Sequence, residues 1–200
     1  MPVAVVTGSN KGIGLAIVRS LCEKYEGDVY LTSRDEGRGL AALETLRREG
    51  LEPKYHQLDI CQEESVIKLR DFMKEKYGGI DILVNNVGIA FMDYDTYGFA
   101  TQVKMTLETN YWATKTASNI LFPILKPGAR VVNMSSALGF LGKLVEVNIT
   151  PTLHDKTTVC ARVSSGLMVK VGSIPETRSR QRSSPQSWPP LTSPTTSSTL

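Results

Sequence analysis

After Tyr111 this 200-residue chain contains no tyrosine; the seven it has all lie at or before that position. Cysteine is also scarce. Cys22, Cys61 and Cys160 are odd in number and lack metal-ligand spacing, which excludes a disulfide framework and a thiolate metal centre and suits a reducing compartment. No run approaches the about 18 apolar residues of a membrane helix, and "MPVAVVTG" goes straight into a strand without a charged leader. The expectation is a cytoplasmic chain with no membrane partner. An excess of positive charge is missing from the part with regular patterning: residues 1–136 carry 16 Lys and Arg against 17 Asp and Glu, net −1, whereas residues 137–200 carry 7 against 3, net +4. A near-neutral body with dispersed tail charge argues against a nucleic-acid footprint.

What is present is an alternation. Short β-rich runs at 3–7 (VAVVT), 29–33 (VYLTS), 54–59 (KYHQLD), 80–86 (IDILVNN) and 129–135 (ARVVNMS) are separated by stretches of helical period. In SVIKLRDFMKEKYGG, residues 65–79, Val66, Leu69 and Met73 share one face, and Gly78 and Gly79 end the helix. Repeated βαβ units close with right-handed crossovers into a parallel sheet with helices on both faces. The expected fold class is therefore α/β, a Rossmann-type doubly wound parallel sheet.

This grammar stops near Leu144, and from Thr177 onward Ser, Thr and Pro make up most of the residues. Such a composition cannot bury enough apolar surface to offset its ordering entropy. The expected organisation is a nucleotide-binding domain over 1–144, incomplete at its C-terminal side, and a divergent, largely disordered tail over 145–200. The short apolar piece GLMVKVGSI, 166–174, has a strand-like composition but is not counted as one. The fifth strand is then an uncovered apolar edge, open to a protein partner or to aggregation.

The strongest motif is TGSNKGIG, Thr7 to Gly14, between the first strand and the helix LAIVRSLCEKY. Gly8, Gly12 and Gly14 supply positions where the backbone takes a positive φ or closes on a phosphate, and the following helix aims its N–H groups and dipole at the same spot. In this strand–turn–helix context the loop points to a dinucleotide. At the end of the second strand stands Ser33-Arg34 in place of a ribose-binding carboxylate, with Lys11 nearby in the loop. Two cations favour a 2′-phosphate and hence NADP(H), with Asp35 as a counterweight.

Together with LDI at 58–60, NNVG at 85–88, Asn110 in LETNYWAT and VVNMSS closing the fifth strand, these residues resemble the short-chain dehydrogenase/reductase family, and within it the monomeric NADPH-dependent carbonyl reductases, over residues 3 to about 140. The resemblance implies reduction of quinones, aldehydes and ketones, with a small-molecule carbonyl substrate and no metal. It implies cofactor contacts at Gly8, Asn10, Lys11, Gly12, Ile13, Gly14 and Arg34, at Asp59 (to the adenine amino group) and Ile60, and at Asn86 and Gly88. Val87 stands where the family usually has alanine, adding bulk near the cofactor. Asn110 would hold a kinked helix and a relay water, and Ser136 would hydrogen-bond the substrate carbonyl.

The missing tyrosine now acquires its meaning. Carbonyl reduction needs an acid to protonate the alkoxide. The family supplies it as the tyrosine of Tyr-x-x-x-Lys, whose lysine also holds the nicotinamide ribose. The lysines past Ser136 are Lys143, Lys156 and Lys170, and none has a tyrosine four places before it. The expectation is a reductase by resemblance whose activity is impaired in this chain. The alternatives are a noncatalytic NADP-binding fragment and an unstable splice or frameshift product.

Overall fold

The computed structural model describes residues 1–91, 96–136 and 167–173. Strands β1 (Val3–Val6), β2 (Asp28–Ser33), β3 (Lys54–Gln57), β4 (Ile80–Asn85), β5 (Leu125–Ser136) and β6 (Leu167–Ser173) form one sheet in the order β3-β2-β1-β4-β5-β6. β1 to β5 pair in parallel. Helices α1 (Gly12–Lys24), α2 (Glu36–Arg48) and α3 (Glu63–Tyr77) connect the first four strands. Between β4 and β5 run α4 (Phe99–Leu107), a π-helical segment (Glu108–Ala113), α5 (Thr114–Leu121) and a 3-10 turn (Phe122–Ile124). This is the doubly wound α/β architecture expected from the alternation.

The strands read as apolar runs because the sheet is covered on both faces. Alternation divides β1 between two cores. Val3 and Val5 join Tyr30, Leu69, Met73, Ile80, Leu83 and Leu121 on the side of α3 and α5, while Ala4 and Val6 join Val18, Leu31, Leu46 and Val84 on the side of α1 and α2. Val66, Leu69 and Met73 are fully buried, as their shared face required. Gly78 ends α3 at φ +72°, its N–H donating to the Lys74 carbonyl.

One expectation is corrected. β5 is not an open edge: β6 pairs with it antiparallel, from Arg130 opposite Ser173 to Ser136 opposite Leu167. The run LMVKVGS is the strand-like piece in an otherwise polar stretch, and its backbone satisfies groups that β5 would otherwise present unpaired. The edge proposed for a partner or for aggregation is therefore not offered by β5. Of the tail expected over 145–200, residues 145–166 and 174–200 lie outside the described residues, as do 92–95 and 137–144 of the domain expected over 1–144. Among the described residues no helix is long and apolar enough to cross a membrane.

At the amino ends of the strands a polar network ties β2 to α3. The Tyr77 hydroxyl donates to Asp28, Lys54 pairs with the same carboxylate, the Tyr30 and Tyr77 hydroxyls lie 3.0 Å apart, and Lys76 Nζ donates to Tyr30 Oη over 3.3 Å. Burial pushes the Asp28 carboxyl up, but the Lys54 ammonium and the Tyr77 hydroxyl outweigh it and hold its pKa below the usual aspartate range. Because the folded pKa is the lower one, the stabilisation is complete above about pH 4 and is lost as pH falls through the folded pKa. Asp28→Asn is expected to cost about 1–3 kcal/mol at pH 7. It should also shrink the drop in urea midpoint between pH 7 and pH 3. An unchanged drop would show that acid sensitivity originates elsewhere.

Candidate functional site

The loop from Thr7 to Lys11 leaves the carboxyl end of β1, and hydrogen bonds hold it on both sides. Toward β2, Ser9 N donates to the Thr32 carbonyl over 2.8 Å, Thr32 N donates to Ser9 Oγ over 3.0 Å, and Ser9 Oγ donates to the Val6 carbonyl over 2.8 Å. Toward β4, Asn86 Nδ2 donates to the carbonyls of Thr7 at 2.9 Å and Gly8 at 3.0 Å, and Asn86 N donates to Thr7 Oγ1 at 2.9 Å. Ser9 is fully buried, so these bonds operate away from water.

The glycines have separate reasons to be there. Gly8 takes φ +60°, and a Cβ on it would stand 2.7 Å from Val87 Cγ2. Gly14 would meet Asn86 Nδ2 at 2.5 Å and Ser9 Cα at 2.7 Å, so it is fixed by close packing. Gly12 takes φ +57° with nothing within 4 Å, which leaves open space at the start of α1. Lys11 occupies the N-cap position without a side-chain cap bond, and the first turn has no acidic residue. The amino end of α1 thus keeps its donors and the positive end of its dipole directed at that space. Asn10 and Ile13 flank it half-buried, and Lys11 is exposed.

At the end of β2, Arg34 is exposed and its carbonyl accepts from Gln57 Nε2 at 3.0 Å. Asp35 caps α2: its Oδ1 accepts from Arg38 N at 2.8 Å and its Oδ2 pairs with the Arg38 guanidinium at 3.5 Å. These bonds, the backbone one first, hold its pKa below the usual range. At the end of β3, Asp59 Oδ1 accepts from Cys61 N at 3.0 Å, and Asp59 N donates to Ser65 Oγ at 3.0 Å. Ile60 is buried in the core beside these turns.

After β4 the backbone of Ile89 is clamped by Asn110, which accepts from Ile89 N and donates to its carbonyl, each over 2.8 Å. Gly88 lies beneath this clamp, where a Cβ would be 3.6 Å from Asn110 Oδ1. Asn110 is buried in the π-helical segment. Ser136 is buried as the last residue of β5. At the adjoining end of β4, Asn85 Nδ2 donates to Asn133 Oδ1 at 2.8 Å.

The residues singled out in the sequence therefore gather at the carboxyl ends of β1 to β5, the position of the ligand crevice in an open α/β sheet. Direct bonds join the loop after β1 to strand β2 and to the loop after β4, and Asn110 to the loop after β4. Val87 places its Cγ2 2.7 Å from the position a Cβ on Gly8 would take. Sequence reasoning missed Arg38 and the capping role of Asp35, although Asp immediately before a helical run is a known N-cap signal. Burial pushes the Cys22 thiol up to about 11 and raises that of Cys61, in keeping with unreactive cysteines.

The model of the short chain dehydrogenase family matches residues 2–148. The NADPH carbonyl reductase 3 of Rattus norvegicus is 55% identical over 137 residues, which are 68% of this chain and 50% of that protein. The NADPH carbonyl reductase 1 of Bos taurus is 54% identical over 134 residues, 67% of this chain and 48% of its own. The chain thus spans about half the length of the curated relatives it matches. Among solved structures, salutaridine reductase from Papaver somniferum superposes with a TM-score of 0.65 at 31% identity, over 71% of this chain and 60% of that one.

Gly8→Ala is expected to cost about 2–5 kcal/mol, the strain of a left-handed residue added to overpacking against Val87. Val87→Ala in the same chain should recover part of that loss. Urea denaturation of the four proteins of the cycle reads the coupling, and strictly additive costs would mean that the two side chains do not compete for space.

Proposed function

The chain belongs to the short chain dehydrogenase family, and from that premise we propose that it holds NADP(H) in the crevice above β1 and β4 for reduction of small carbonyl compounds such as quinones, aldehydes and ketones. One observation carries this reading: α1 starts with no side-chain cap and no acid in its first turn, beneath the open space left by Gly12. That donor set fits a pyrophosphate. The similarity to NADPH carbonyl reductases supports the choice of cofactor and reaction.

In this reading Gly8, Asn10, Gly12, Ile13 and Gly14 cradle the pyrophosphate, while Lys11 and Arg34 face the 2′-phosphate with Arg38 as a third cation. Asp35 points its oxygens at Arg38, which lowers the repulsion a free carboxylate would exert there. Asp59 and Ile60 border the adenine, and Asn86 and Gly88 line the middle of the crevice. When bound, NADPH supplies a hydride. Ser136 donates a hydrogen bond to the carbonyl oxygen, and Asn110 positions the loop after β4 through Ile89.

The proton is the weak point. No tyrosine follows Ser136 in these 200 residues, so the general acid of the family pattern is missing, a loss of the order of 10²–10⁴ in rate. A noncatalytic NADP-binding chain is accordingly the second reading, and this absence favours it. In both readings residues 1–144 act as the nucleotide-binding domain, the tail from 145 contributes β6, and the chain works in the cytoplasm.

Titration of NADPH fluorescence should show saturable binding in preference to NADH, and Arg34→Glu should remove most of that preference. Equal affinity for the two nucleotides in the unaltered chain would reject the 2′-phosphate assignment. With a quinone as acceptor, NADPH oxidation should run at least about 10²-fold below that of a full-length relative. Any residual rate should fall further in Ser136→Ala, and a rate untouched by that change would remove Ser136 from its role.

A further inference from the structure

β2 and β3 end together. Ser33 and Gln57, the last residue of each, stand opposite in register, and Leu58 N donates to the Ser33 carbonyl at 2.9 Å beyond that pair. The next carbonyl along, that of Arg34, accepts from a side chain: Gln57 Nε2 donates to it at 3.0 Å. A carbonyl can only accept, so this contact fixes which end of the Gln57 amide carries the nitrogen.

The other end of the amide is held as well. Ser65 Oγ, in the first turn of α3, donates to Gln57 Oε1 over 3.4 Å and accepts from Asp59 N at 3.0 Å. Gln57 therefore bridges the turn after β2, which carries Arg34, and the turn after β3, which carries Asp59 and Ile60. Beyond Arg34, the Asp35 carbonyl accepts from Ser33 Oγ at 2.7 Å, and the Asp35 carboxylate caps α2. The backbone is thus held before, at and after Arg34, a residue exposed to solvent. An arginine on an unrestrained turn loses conformational freedom when it closes on a phosphate, and fixing its backbone beforehand removes part of that cost.

We propose that Gln57 is a positioning residue for the 2′-phosphate: through the Arg34 carbonyl it sets how strongly the chain prefers a 2′-phosphorylated dinucleotide to the unphosphorylated one. The proposal rests on the NADP(H) reading above and deepens it, naming the side chain that holds the arginine in place. Gln57 acts through Arg34 and needs no contact with the nucleotide.

Gln57 is exposed and belongs to neither core, so Gln57→Met, which keeps the length of the side chain and removes both polar ends, leaves the sheet in place. NADPH and NADH differ only in the 2′-phosphate. The ratio of their dissociation constants, read by fluorescence titration of the full 200-residue chain, therefore cancels every contact the two share. Gln57→Met should lower the preference for NADPH about threefold to tenfold, with NADH binding within about twofold of the unaltered chain. In an Arg34→Ala chain the same substitution should leave the preference unchanged, because no guanidinium remains to be positioned. A preference that survives Gln57→Met, a loss shared equally by both nucleotides, or an undiminished effect without the Arg34 side chain would each overturn the proposal while the cofactor assignment stands. No preference for NADPH in the unaltered chain would end the cofactor assignment and the proposal with it.

Discussion

The hydroxyl of Thr7 fastens the two strands between which the sheet changes its winding direction. It donates to the Val84 carbonyl at 3.3 Å and accepts from Asn86 N at 2.9 Å and Val87 N at 3.2 Å, in a position only 2% exposed. Parallel strands part at their carboxyl ends on either side of such a junction, which opens a crevice and leaves backbone groups that water does not reach. Thr7 and Asn86 satisfy those groups side chain to backbone, where a continuous ladder would have closed the crevice. The other features of the site follow from this stitch. Val87 is held against Gly8, Asn86 fills the space that Gly14 leaves, and the first turn of α1 is directed at the gap.

Much of this was legible in the sequence, and the reason is local. A glycine needed for a positive φ, an apolar strand buried on two faces and a helix with Val66, Leu69 and Met73 on one side all express constraints within a few residues. Gly78 ending α3 is of the same kind. The pairing of β6 with β5 was not legible, because it joins residues 31 to 43 positions apart and is decided by which backbone groups remain unpaired elsewhere. Composition marked LMVKVGS as strand-like, but composition carries no direction.

The charge pattern shows the same division. Arg34 and Lys11 could be placed from their positions relative to a strand end and a glycine loop, yet Asp35 looked like an opposing charge. Its geometry gives it a different task, since Arg38 stands one helical turn on and supplies both a backbone N–H and a guanidinium. A carboxylate at the N-cap of α2 stabilises that helix through its dipole and presents its charge to Arg38 in preference to the crevice. One residue thereby both starts a helix and pairs with a cation one turn further on.

At the other side of the junction, polar groups satisfy one another. Asn85 and Asn133 stand opposite in register on β4 and β5, and their amides bond at 2.8 Å, with Ser118 Oγ of α5 3.4 Å from the same Asn85 nitrogen. Asn110 likewise uses both ends of its amide on Ile89, and the π-helical segment is what turns it inward while α4 and α5 continue on either side. A widened turn has a cost in helix geometry that two half-buried hydrogen bonds offset. These bonds, side chain to side chain at Asn85 and side chain to backbone at Ile89, fix the frame of the second half.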